Sequence, residues 1–103
     1  MKIYNKLVRD KIPEVIERSG KKFDIHTASK EEFTKLLEEK LKEEVNEYIE
    51  AKNLEELADV MEVLFGLANV LGYSEEELLK KRQEKLEERG GFKERIVLES
   101  VHE

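Results

Sequence analysis

The sequence predicts an all-α fold, an antiparallel helical bundle, and three observations carry that expectation. Apolar residues recur at helical spacing through the middle of the chain. The same capping pattern, a short polar residue followed three positions later by Glu, occurs at Ser29–Glu32, Asn53–Glu56 and Ser74–Glu77. The segments between these patterns are so short that consecutive long helices are expected to be antiparallel neighbours. One domain over residues 1–103 is expected at this length, and area scaling lets roughly 65% of the unfolded surface be buried.

The elements follow in order. Pro13 suits a first helical turn and Gly20 a stop, which predicts a short helix over 10–19. Ser29 opens a long helix running to Ala51, and Asn53 opens a second that ends before Gly72. Ser74 opens a third, closed by Gly90 and Gly91. Residues 22–28 and 95–101 alternate loosely, which leaves room for short terminal β-strands pairing with each other or with 1–4.

Composition excludes several classes. The chain has no cysteine, hence no disulfide, no thiolate metal site and no cysteine nucleophile, as expected in a reducing compartment. With 19 basic and 25 acidic residues the net charge is −6, against the basic face that a nucleic-acid binder shows. No signal segment is visible at the N-terminus, and the most apolar stretch, 57–71, is too short to span a bilayer. A cytoplasmic protein without nucleic-acid or membrane partners is the expectation. In that same stretch 11 of 15 residues are hydrophobic, so the helix needs neighbours on most sides and a homodimer or homotetramer is expected.

The acids of the two middle helices stand out. Glu44 projects within the apolar arc of Phe33, Leu37, Leu41, Val45 and Tyr48, with Glu47 at its edge. On the next helix Glu56, Asp59, Glu62, Gly66 and Asn69 share one stripe. Folding the helices about the turn at 51–53 sets Glu47 opposite Glu56 and Glu44 opposite Asp59 in one register. Each acid also has an ordinary reading: Glu56 serves the Asn53 cap, and the others are solvated in an acidic protein. The conjunction of two acidic pairs in register points further, to a cation held among four carboxylates. All-oxygen ligation of that kind favours Mg²⁺ or Mn²⁺ over zinc. His26 and His102 lack metal-ligand spacing and are read as incidental.

EEVNE (43–47) followed by EELADVMEVL (55–64) resembles the E-x-x-E … E-x-x-D signature of the MazG-like all-α nucleoside triphosphate pyrophosphohydrolases. YNKLVRDKIPEVI (4–16) and RGGFKERIVLE (89–99) resemble the terminal motifs of its small house-cleaning branch, related to phosphoribosyl-ATP pyrophosphatase. The resemblance implies that Glu44, Glu47, Glu56 and Asp59 bind Mg²⁺ and serve catalysis. The implied reaction is hydrolysis of a non-canonical nucleoside triphosphate to monophosphate and pyrophosphate. Cations are then expected on the phosphates: Arg9 and Lys11 of the N-terminal motif, Lys85 and Arg89 near the C-terminal one. Glu43 is read as a surface acid. Two other readings stand beside this one: phosphoribosyl-ATP as the substrate, or a non-enzymatic helical interaction module whose apolar face binds a partner.

Overall fold

The computed structural model of the chain describes residues 2–102. Four helices follow one another: α1 (Ile12–Arg18), α2 (Lys30–Ala51), α3 (Leu54–Val70) and α4 (Glu75–Arg89). The all-α class predicted from the sequence holds. The expected short strands do not form: 22–28 and 95–101 are unpaired, and no strand occurs among the described residues. Both segments carry alternation without a partner edge, and a lone strand has nothing to bond its backbone. Met1, at the end of the third expected strand, lies outside the described residues.

The three caps are built on one motif and end differently. Ser29 accepts from the Glu32 amide, but the Glu32 carboxylate turns to His26, 3.0 Å away. Asn53 Oδ1 accepts from the Glu56 amide at 2.9 Å, and the Glu56 carboxylate does not return to the Asn53 backbone. Only Ser74 and Glu77 complete the reciprocal box.

Between α2 and α3 the chain reverses within two residues. Lys52 adopts the left-handed conformation (φ 51°, ψ 51°) and its amide bonds the Tyr48 carbonyl, while Asn53 is extended and begins the next cap. The pairing is close: a Cβ built on Gly66 would stand 3.2 Å from Leu37 Cδ2. Leu37 and Gly66 lie as far from the turn as each other, on the same register that pairs Glu44 with Asp59. The antiparallel contact therefore carries the predicted register.

One expectation is corrected. α4 is not an antiparallel neighbour of α3, because the chain bends by 107° between them. Gly72 takes φ +95° and the Tyr73 amide bonds back to the Ala68 carbonyl, so the turn closes α3 steeply instead of folding α4 along it.

Burial is thin. Among the described residues Leu37, Val63 and Ala68 are the buried apolar ones; Leu37 meets Gly66 across the α2–α3 seam, and Ala68 lies in the groove between α3 and α4. The radius of gyration is 18.2 Å, where a compact chain of this length has about 13 Å. The accessible surface is 9911 Å², where a compact monomer of this mass exposes roughly 6,000 Å². Leu54, Leu57, Met61, Leu64 and Leu71 of the α3 region all stand exposed, as do Phe92 and residues 96–98 of the tail. Among the described residues no single helix is long and apolar enough to cross a membrane.

Candidate metal centre

The seam between α2 and α3 carries its acids near the turn. Glu44 projects from α2 at a position otherwise given to apolar residues and is 7% exposed. Glu56 and Asp59, in the first two turns of α3, are half-buried. One carboxylate oxygen from each of Glu44, Glu56 and Asp59 lies within 4.8 Å of the other two. These three side chains can hold a metal ion. Glu44 Oε2 and Glu56 Oε2 are buried without any hydrogen-bond partner. A buried carboxylate oxygen left unpaired costs a large share of its hydration, so two in one cluster fit a site for a hard cation.

Glu47 stands differently from the other predicted ligands. It lies with Glu43 and Glu44 in a second group, all on α2, and is exposed. Three of the four predicted acids thus converge across the turn, and the fourth reaches the cluster along its own helix. The electrostatics follow from burial and neighbours. Burial raises the Glu44 carboxyl above its ordinary value, and its contact with Glu47 raises it further, against a smaller opposing pull from Lys40. For Glu43 burial also pushes upward, but Lys40 and Lys6 together outweigh it and hold the group below its ordinary value.

The charges that reach the acids come from two places. Lys40 Nζ, one turn before Glu44, lies 3.4 Å from both Glu43 and Glu44. Arg9 and Lys6 cross from the N-terminal segment: Arg9 Nη2 donates to Asp59 Oδ1 at 2.7 Å, and Lys6 Nζ to Glu43 Oε1 at 3.4 Å. Arg9, expected on phosphate, is therefore held at one of the acids themselves. Lys11 opens α1 and, like Lys85 and Arg89 on α4, makes no side-chain ion pair among the described residues. The 107° bend carries α4 away from the α2–α3 seam, so among the described residues no contact joins Lys85 or Arg89 to the acids.

Two participants escaped the sequence reading. Glu43 is half-buried and ion-paired twice, not a plain surface acid. Lys40 sits four residues before Glu44 on the same arc, a spacing that brings side chains together on one helix face and was available to reveal it. Comparison of the chain with models of protein families, with curated proteins and with solved structures finds no match.

Because the folded state raises the Glu44 carboxyl, the folded chain binds more protons than the unfolded one above the ordinary value of 4.5, and stability falls as pH rises through that window. Glu44→Gln should accordingly melt higher than the natural chain in EDTA at pH 7, and the advantage should vanish at pH below 4.5, where both states are protonated. Melting curves at the two pH values decide it. Arg9 shares Asp59 with any incoming cation, so Arg9→Ala should bind Mg²⁺ several-fold more tightly by calorimetry. Its cost in stability should stay within about 1 kcal/mol, the range of an exposed ion pair.

Proposed function

We propose that this chain is a Mg²⁺-dependent nucleoside triphosphate pyrophosphohydrolase that clears a non-canonical or surplus nucleotide. The reading is carried by one observation: two buried, unpartnered carboxylate oxygens, on Glu44 and Glu56, in a cluster whose third member is Asp59. The likeness of residues 43–64 to the MazG-like signature supports it, as do the flanking motifs at 4–16 and 89–99. Glu44, Glu56 and Asp59 hold the cation in this reading, with Glu47 at the edge. The cation supplies charge neutralisation at phosphate oxygens and lowers the pKa of a bound water. One water cleaves the α–β anhydride, giving a nucleoside monophosphate and pyrophosphate.

The chain's own residues supply the remaining chemistry. Arg9 has a planar guanidinium suited to phosphate oxygens and stands 2.7 Å from Asp59, at the border of the acids. Lys40 offsets the charge of Glu43 and Glu44, so that the cluster is not left with four unopposed carboxylates. Lys11, Lys85 and Arg89 bind phosphate in this reading only if nucleotide or a neighbouring subunit brings them to the seam.

The same reading includes self-association. The chain exposes about 3,900 Å² beyond a compact monomer of its mass, comparable with the 2,000–5,000 Å² buried in obligate dimers. Between α3 and α4 an apolar groove of about 470 Å³, walled by Leu64, Leu67, Leu71, Tyr73 and Leu78, is open to receive another helix. A homodimer or homotetramer covers these surfaces.

Two measurements test the proposal. Pyrophosphate release from a panel of nucleotides should appear with Mg²⁺ and vanish with EDTA, and Asp59→Asn should abolish it while leaving the protein folded. Turnover of none of them, phosphoribosyl-ATP included, would leave a binding module as the better reading. Light scattering at micromolar concentration should give at least twice the 12.1 kDa of the chain. A mass equal to one chain would refute the association.

A further inference from the structure

We propose that a second groove, at the opposite end of the α2–α3 seam from the turn, holds the nucleobase and favours one with a guanine-type donor edge. This rests on the pyrophosphohydrolase reading and adds the base to it. The groove is shallow and open to solvent, has a volume of about 240 Å³ and is lined by Phe33 of α2, by Glu62, Phe65, Gly66 and Asn69 of α3, and by Glu75 of α4. A groove of that order has room for one heterocycle.

Position comes first. Asp59, Glu62, Gly66 and Asn69 follow each other at three- and four-residue steps, so they lie along one stripe of α3. That stripe begins in the acidic cluster and ends in the groove. Gly66 stands seven residues beyond Asp59, a rise of about 10 Å, the order of distance that a sugar and its first phosphate bridge. Across the seam Phe33, at the start of α2, lies eleven residues before Glu44, a rise of about 16 Å, so it closes the far end of the groove beyond Gly66.

The lining then sets the polarity of the ligand. Near the turn the cations Arg9 and Lys40 stand among the acids, and a metal adds further positive charge. At the groove no cation is present, and among the described residues neither Glu62 nor Glu75 forms an ion pair. Carboxylates without a counter-charge repel phosphate. A nucleotide entering the seam is therefore oriented with its phosphates toward the turn and its uncharged base toward the groove. Phe33 and Phe65, both half-buried, offer aromatic surface on which any base stacks.

Selectivity comes from the hydrogen-bonding edge. Glu62 and Glu75 are acceptors only, and Asn69 offers both a donor and an acceptor. Guanine presents a ring N–H beside an exocyclic amino group, two adjacent donors that a carboxylate accepts together. Uracil presents one N–H between two carbonyls, and those lone pairs would face carboxylate oxygens. An acceptor-rich lining favours the first and disfavours the second.

The test separates the groove from the catalytic reading. Nuclear magnetic resonance titration of the metal-free protein with guanosine and with uridine needs neither cation nor turnover. Guanosine should shift the amide signals of Phe33, Phe65 and Asn69, and uridine should not. In Mg²⁺, pyrophosphate release should favour GTP over UTP by about tenfold in kcat/KM, the worth of one net hydrogen bond. Glu62→Gln and Asn69→Leu, both at exposed positions, should bring that ratio toward one. Pyrophosphate release without base preference, or without guanosine shifts at the groove, would overturn the groove and leave the enzyme standing. Guanosine shifts with no release from any nucleotide would keep the groove and overturn the enzyme.

Discussion

Everything in this chain hangs on a reversal two residues long. Lys52 in the left-handed conformation and Asn53 as an extended cap give α2 and α3 no freedom to slide past each other. A helix pair joined so tightly has its register fixed at the joint and carried outward one turn at a time. Close to the joint that register sets Glu44 beside Glu56 and Asp59; farther out it sets Leu37 on Gly66. A Cβ at position 66 would crowd Leu37 Cδ2 at 3.2 Å, so Gly66 lets Leu37 keep its place on the same register that gathers the acids.

The register also explains how so much negative charge is tolerated. Glu43 and Glu44 are adjacent in sequence and point to neighbouring parts of the seam, and Lys40 lies within reach of both. Asp59 takes Arg9 from a segment fifty residues earlier. These contacts leave one oxygen on Glu44 and one on Glu56 without a partner. The cap supplies the reason at Glu56: Asn53 binds its amide, and its carboxylate does not close the box, so the side chain is available to the cluster. At Ser74, which adjoins no such cluster among the described residues, Glu77 closes the box completely. The same local motif serves only the start of a helix in one place and the site as well in another.

Much of this was legible in the sequence because it is written in short-range patterns. Helix starts at Ser29, Asn53 and Ser74 depend on residues three apart, and the facing of Glu44 with Asp59 depends only on the length of one turn. What depends on long-range geometry was not legible. The angle of α4 is decided at Gly72 by a backbone turn with no side-chain signature, which is why Lys85 and Arg89 are not joined to the acids. Arg9 reaches Asp59 through an unpatterned segment, so periodicity gives no hint of the contact. The alternation in 22–28 and 95–101 is real, but a strand needs an edge to pair with and the described residues offer none.

The thinness of the core links the site to assembly. Leu37 and Val63 share their seam with Glu44, so the few contacts that hold α2 against α3 are the same ones that position the acids. A metal binding three acids across that seam ties the two helices together, since a ligand bound only by the folded state stabilises it. The outer side of α3, with Leu57, Met61 and Leu64 exposed, is covered only in part by α4. Covering it with a second subunit would hold α3 from the side opposite the cation. Helix position, and therefore ligand geometry, would then be set by two constraints on one element: a charge contact on its polar stripe and an apolar one on its back. Neither constraint alone fixes the rotation of α3 about its own axis, and both together do.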